Sequence, residues 1–422
     1  MSPAARLLTG DVRLLFVTRF VRLFAYGALS VVLVLHLVAI GIDEAAVGVL
    51  LTATLMGDTI VSLLFSTQAD RVGRRRVLIA GAVLMAMAGA VFASTHRWWL
   101  LLLAGIVGIV SPSGHEVGPF LAIEQAALAQ LVAADRRTAV FAWYALTGSL
   151  ATALGSLAGG LMAQMRLGSL LVPADAYRSV IVLYAAIGGV LALAFFRLSR
   201  GLEPAPADRA GAPGLRWMSG VHRSRATVWR LSALFGLDSF GGGFVVQGFT
   251  AYWFHLRFGL DPGSLGLLFL AANLLAGCSA LLAASLAARI GLINTMVATH
   301  LPSNVLLILV PLMPTLPLAI AVLLLRFSIS QMDVPARQSY TMAVVSPDER
   351  SAAAGITGVA RTLGAAISPM FAGALLARAE WIDVPFFLAG GLKIAYDLLL
   401  YRSFVALRPP EEKASSSPRS PW

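Results

Sequence analysis

Residues 69–76 read Ala69-Asp70-Arg71-Val72-Gly73-Arg74-Arg75-Arg76. Five of these eight residues are charged, yet the tract lies between two apolar runs, near 44–66 and 77–95. Each run is long enough for a helix to cross the hydrocarbon of a bilayer, about 30 Å or roughly 20 residues. A short basic loop joining two such helices is the pattern left by membrane insertion, which retains Arg and Lys on the cytoplasmic side.

Outward from this loop the alternation continues along the chain. Apolar runs predict twelve spans, near 14–40, 44–66, 77–95, 98–122, 140–164, 178–197, 228–255, 263–287, 294–313, 317–342, 352–376 and 384–404. Hydrophobic residues make up 58% of the 422 positions and charged ones 13%, against about half and about a quarter in soluble domains. The first run carries Arg19 and Arg22 and has no small-residue cleavage site, so it is read as a retained span rather than a signal peptide.

The basic residues follow loop parity. Arg71, Arg74, Arg75 and Arg76 lie after the second span, Arg136 and Arg137 after the fourth, and Arg200, Arg209, Arg216, Arg223 and Arg225 after the sixth. Loops of the other parity hold scattered charges such as Arg97, Arg166, Arg257 and Arg378. Both termini are therefore expected in the cytoplasm of a cell (inner) membrane. The net charge of +11 is thereby used by topology. No aromatic-interleaved basic domain accompanies it, which argues against nucleic acid as a partner. The single cysteine, Cys278, excludes an internal disulfide and any Cys-based metal cluster.

The predicted domains are a six-span bundle over 1–197, a cytoplasmic connector over 198–227 rich in Pro, Gly and Arg, a second six-span bundle over 228–407, and a disordered tail over 408–422. The halves repeat one another. Gly41, Asp43, Gly48, Arg71 and Gly73 recur 218 positions later as Gly259, Asp261, Gly266, Arg289 and Gly291, and Gln125, Asp135 and Arg137 recur 213 positions later as Gln338, Asp348 and Arg350. A duplicated six-helix unit predicts two bundles related by an axis along the membrane normal, with substrate bound at their interface.

With the Asp70-Arg71-Val72-Gly73-Arg74-Arg75 match to the signature loop G-x-x-x-D-R-x-G-R-[RK], the chain resembles the major facilitator superfamily. Ser66 stands where that signature has Gly. The resemblance implies an all-α fold whose first, fourth, seventh and tenth helices line a central cavity, and alternating access between inward-open and outward-open states. It implies a gating role for Asp70, Arg71, Gly73 and Arg74, whose contacts would form in one state and break in the other. Glu124 and Arg137 resemble a second gating pair at the cytoplasmic ends. The chain departs from proton-coupled members in lacking an Arg within Leu101–Val110. From the antiport pattern it departs in reading Gly155-Ser156-Leu157-Ala158-Gly159-Gly160, without the proline.

Ionisable residues inside a span are costly and mark function by default. Glu116, with His115 beside it, follows a Pro and Gly step in the fourth span and is expected to carry a coupling proton. Asp238 of the seventh span is a further coupling candidate and lies at the depth of Arg22, with which it is expected to pair across the halves as a gate. Arg22, Tyr26, Arg326, Gln331, Asp333, Arg337 and Asn273 are the expected substrate contacts. Asp333 and Arg337 share a helix face at i,i+4. Arg326 reads equally well as an anion anchor or as half of a permanent ion pair. His300 and Asn304 read more readily as helix-to-helix hydrogen bonds. Lys393 and Asp397 read as a peripheral i,i+4 pair, and Asp58 and Arg361 as single charges.

No phosphate-binding loop, dinucleotide fingerprint, His-Glu-x-x-His or Gly-x-Ser-x-Gly stretch occurs, so no cofactor, metal or enzymatic activity is expected. The predicted function is secondary transport of a small anionic or polar solute, driven by protons, another ion or the solute gradient. Efflux of amphipathic compounds is the alternative, and a non-transporting membrane sensor a third. A monomer in the lipid bilayer is expected.

Overall fold

The computed structural model describes residues 10–133, 136–169, 172–203 and 221–407. Most of the expected connector, the expected tail and Asp135 lie outside the described residues. Among those described, regular structure is helical throughout. The first half holds α1 (Gly10–Ala39), α2 (Glu44–Val72), α3 (Arg74–Ser94), α4 (Trp98–Val107), α5 (Phe120–Leu131), α6 (Arg137–Leu167) and α7 (Pro173–Phe195). The second holds α8 (Arg225–Gly243), α9 (Gln247–Phe258), α10 (Pro262–Ile290), α11 (Leu292–Leu309), α12 (Leu316–Phe327), α13 (Asp333–Ala343), α14 (Arg350–Leu376) and α15 (Val384–Phe404).

Among the described residues, nine helices are long and apolar enough to cross a membrane, and they account for nine of the twelve expected spans. The fourth, seventh and tenth spans, expected as continuous runs, are each interrupted. The fourth stops at Val107 and resumes at Phe120, across a segment with Pro112, Pro119 and two glycines at positive φ, Gly114 and Gly118. Proline has no N–H for the helix ladder and clashes with the preceding turn. The seventh breaks between Gly243 and Gln247, after three consecutive glycines. The tenth breaks between Phe327 and Asp333, ahead of Pro335. The chain is an all-α, multi-pass membrane protein.

The internal repeat has a structural basis. Asp43 accepts the Ala46 N–H at 2.9 Å and Asp261 accepts the Ser264 N–H at 2.9 Å, so each caps the start of the second span of its half, α2 and α10. Gly41 and Gly259 precede these caps with φ of 89° and 66°, a conformation that costs glycine little and L-residues more.

Two compact units emerge. One comprises Met1–Gly214, Val246–Leu274 and Pro369–Ile382, and the other Leu215–Val245, Leu275–Ser368 and Asp383–Trp422. The first therefore contains α9 and the start of α10 beside the first-half helices. Within it Gln247 donates to Ser30 at 2.8 Å and to Ser156 at 3.1 Å, and Asn273 donates to Gln247 at 3.2 Å. Tyr252 also hydrogen-bonds Glu44, at 2.5 Å. The second unit packs Leu231, Phe235, Met296, Tyr340, Tyr396 and Leu400 into an apolar cluster.

Candidate functional site

In the first unit, α1 carries two arginines toward the interrupted fourth span. Arg22 is fully buried and makes a bidentate pair with Glu124, both N–O distances being 2.7 Å. Its Nε also donates to Glu116 at 3.0 Å, and Arg19 donates to the other Glu116 oxygen at 2.8 Å. Tyr144 donates to Glu124 at 2.6 Å. Two guanidiniums thus face two carboxylates, and the set is neutral with every group ionised. Guanidinium forks suit such bidentate pairing, and buried charge is tolerated only when paired in this way. The Arg22 side chain is 0% exposed and that of Glu116 is 14% exposed, so Glu116 is the member that reaches outward.

Glu116 sits in irregular backbone, where polar main-chain groups need partners at membrane depth. Side chains of four spans supply them. Tyr26 of α1 donates to Val117 O at 3.4 Å, Asp58 of α2 accepts the Gly118 N–H at 2.6 Å, Thr152 of α6 donates to Gly114 O at 3.2 Å, and Tyr184 of α7 donates to Ile109 O. Asp58, read from sequence as a single charge, therefore anchors this loop.

In the second unit, Asp238 of α8 accepts from Lys393 at 2.6 Å and from Arg337 at 3.0 Å. Arg337 also lies 3.3 Å from Asp333. His300 of α11 stands between two carboxylates, with Nδ1 2.8 Å from Asp397 and Nε2 3.5 Å from Asp238. Asn304 donates to the second Asp397 oxygen at 2.9 Å. The two clusters mirror one another with charge inverted. Glu124 and Arg337 occupy repeat positions 213 apart, and each is bound by an opposite charge from the first span of its own half, Arg22 and Asp238 respectively.

Several expectations change. Arg22 and Asp238 find partners within their own units, so the expected pair between them is replaced. Glu124 pairs with Arg22, while Arg137 donates its Nε to Val132 O at 3.2 Å; the expected Glu124–Arg137 pair gives way because the fourth span turns Glu124 toward α1. Lys393 and Asp397 turn to Asp238 and His300 rather than to each other, which makes α15 part of the buried cluster rather than periphery. Asn273 lies in the polar set around Gln247 and Ser156, Gln331 donates its N–H to Ser279 at 3.3 Å, and His115 is exposed. Asp70 holds Arg74 at 2.8 Å, and Arg74 reaches on to Gln130 at 2.9 Å and Leu202 O at 3.2 Å. Gly73 allows the sharp turn between α2 and α3 at φ 111°.

Arg326 and Arg361 stand apart. Each has a buried Nε with no hydrogen-bond partner, and neither makes an ion pair among the described residues. Arg326 lies over the Phe327 ring at 5.1 Å, and the Asp238 carboxylate acts on it through space without an ion-pair contact. The sequence signal for the His300 cluster was present, since each member is ionisable or polar inside a span. What it lacked was the packing of α11 and α8 on α15, which turns separate residues into a network.

The family model described as Major Facilitator Superfamily matches residues 15–332 and 258–422. An uncharacterized membrane protein of Saccharomyces cerevisiae is 30% identical over 424 residues, spanning 94% of both chains. Among solved structures, the bacterial homologue of the human lysosomal transporter Spinster, inward-facing and occupied, is similar with a TM-score of 0.73 at 16% identity, over 94% of this chain and 97% of that one. The nucleoside transporter NupG gives 0.72 at 14% identity, over 94% and 99%. The D-xylose-proton symporter gives 0.70 at 15% identity, over 93% and 97%. At these identities the likeness to solved structures is one of fold.

Proposed function

Because the chain belongs to the Major Facilitator Superfamily, we propose that it is a secondary transporter carrying a small anionic solute by alternating access. The observation that carries this reading is Arg326, a guanidinium within an apolar span that makes no ion pair among the described residues and whose buried Nε has no hydrogen-bond partner. An ionised side chain at such depth costs several kcal/mol, about 2.5–3.5 on insertion scales, and is retained where it meets a charge that comes and goes. Its planar fork fits a carboxylate or phosphate bidentately. Arg361 adds a second cation to the same unit that makes no ion pair among the described residues. By contrast Arg19, Arg22 and Arg337 already have carboxylate partners, which argues for structural work by Arg22 and Arg337 in this state. In the same reading Asp70, Arg71, Gly73 and Arg74 form the gating loop, with Arg74 tying α3 to Asp70 and Gln130. The gradient that drives transport is that of a proton, another ion or the solute.

A thermal-shift screen of the full-length protein against organic acids, phosphorylated metabolites, sugars and amphipathic cations tests this. A ligand at about 100 times its Kd stabilises the folded state by about 2.7 kcal/mol. Stabilisation by carboxylates or phosphates, abolished in Arg326→Gln and followed by uptake of the same compound into proteoliposomes, is expected. Hits confined to amphipathic cations would replace this reading with compound efflux.

A further inference from the structure

We propose that the second unit binds the headgroup of an anionic phospholipid on the exposed face of the first turns of α8, through Arg225, Trp229 and Arg230. The inference rests on the chain being a membrane protein and is independent of the solute.

The backbone leading into α8 is held in place. Glu349 accepts three successive N–H groups, from His222 and Arg223 at 2.6 Å and from Ser224 at 2.8 Å. Ser224 Oγ accepts the Ser346 N–H at 3.1 Å, and Val221 and Val228 pack with Val345 and Ala353. The Glu349 carboxylate is thus engaged by main-chain donors and not by the arginines beside it. From this platform Val228, Leu231 and Phe235 turn inward and are buried, while Arg225, Ala226, Trp229, Arg230 and Ala233 are exposed. Arg225 and Trp229 share a helix face at i,i+4, and Arg230 stands beside Trp229, whose ring is 58% exposed.

These arginines differ from the basic residues of the first unit. There Arg74 donates to Asp70 and Gln130, Arg75 to Phe196 O, and Arg137 to Val132 O. Arg225 and Arg230 make no ion pair among the described residues. Membrane topology accounts for positive charge at this end. It does not account for two guanidiniums without carboxylate partners around an exposed indole.

A phospholipid supplies what this face lacks. Tryptophan at a membrane interface sits at headgroup level, with its apolar body toward the acyl chains. Arg225 lies four residues earlier, about 6 Å along the axis toward water, where the lipid phosphate sits. Arg230 is long enough to snorkel to the same level. Each guanidinium can donate two parallel hydrogen bonds to phosphate oxygens. A choline or ethanolamine headgroup would bring its own ammonium against two cations, so the face selects a headgroup that adds no positive charge. Loop parity assigns this end to the cytoplasmic leaflet, which is the one that carries anionic lipid.

Thermal unfolding of the full-length protein in mild detergent, titrated with phosphatidylglycerol or phosphatidylcholine, reads binding as a dose-dependent rise in melting temperature. Phosphatidylglycerol should bind about 25-fold more tightly than phosphatidylcholine, about fivefold for each arginine. Arg225→Gln/Arg230→Gln should abolish that preference, and Trp229→Ala should weaken both lipids. Arg97→Gln/Arg257→Gln makes the same change of charge at exposed sites of the first unit and should leave the preference intact. The melting temperature without added lipid reports whether each variant is folded. Equal affinity of the wild type for the two lipids, or an equal loss in the control pair, overturns the proposal. A further measurement needs no variant. The preference should shrink as salt is raised from about 0.05 M to about 0.5 M, because exposed charges are screened, and a preference that ignores salt overturns the proposal as well.

Discussion

Gly160 and Gly266 meet backbone to backbone. A methyl group on Gly160 would lie 2.2 Å from Pro262 O and 2.8 Å from the Gly266 Cα. Their repeat counterparts, Gly373 and Gly48, meet in the same way, a methyl on Gly373 lying 2.3 Å from Glu44 O and 2.7 Å from the Gly48 Cα. All four lie in the first compact unit. Small residues permit such approach where apolar burial gives no advantage over lipid.

Gly160→Ala and Gly373→Ala should each destabilise the protein by about 1–3 kcal/mol, the usual cost of forcing a methyl into packed backbone. Gly189→Ala is the control, since nothing lies within 4 Å of its added methyl. Thermal unfolding in detergent compares the three, and equal melting temperatures would show that the close contact is not required.

The Arg22–Glu124 pair should behave as a buried ion pair. Arg22→Leu strands Glu124 and is expected to cost about 3–5 kcal/mol. The double variant Arg22→Leu/Glu124→Leu leaves Arg19 with Glu116 and restores charge balance, so it should be milder than Arg22→Leu alone. A double-mutant cycle in chemical denaturation measures the coupling, and additive losses would contradict the pairing.

The polar set at Gln247 should hold this arrangement of the first unit closed. Val34 is 1% exposed, and a Val34→Cys reporter in a Cys278→Ser background should react slowly with a thiol reagent. Gln247→Ala and Asn273→Ala each remove hydrogen bonds worth about 1 kcal/mol net, which predicts about a fivefold faster reaction. An unchanged rate would mean that the glycine contacts alone maintain closure.

The two helix caps predict small, independent effects and one pH dependence. Asp43→Ala and Asp261→Ala should each cost about 1 kcal/mol, additively. Around Asp261, partial burial pushes the carboxyl up, and the Ser264 N–H, the Ser264 hydroxyl and the Gly263 N–H together hold it below its usual range. A depressed folded value means that the contribution is fully present above the unfolded value and lost as pH falls through the folded one. The melting-temperature gap between wild type and Asp261→Asn should therefore narrow from about pH 6 to about pH 3. A gap constant across that range would remove Asp261 as its source.

Local signals made much of this legible. Spans follow from apolar length, and the repeat from Gly and Asp spacings that the caps and turns at 41–43 and 259–261 require. The breaks at 108–119, 244–246 and 328–332 were hidden because apolar residues such as Ile109, Val110 and Val117 continue through them. Partner choice was least legible. Alignment of the halves placed Arg22 and Asp238 at similar depth, but depth says nothing of which way round its helix each side chain turns. Glu124 and Lys393 illustrate the same gap, since both turn away from the nearest partner in sequence toward one on another helix.

The loop carrying Glu116 is held by Tyr26, Asp58, Thr152 and Tyr184, one from each of four spans. An unbiased genetic screen for lost activity should therefore return alleles scattered over α1, α2, α6 and α7 that share one physical lesion. Sorted by sequence they would look unrelated. Sorted by what they leave unbonded between Ile109 and Gly118, they would fall into a single complementation of defects, with second-site suppressors arising inside the loop itself.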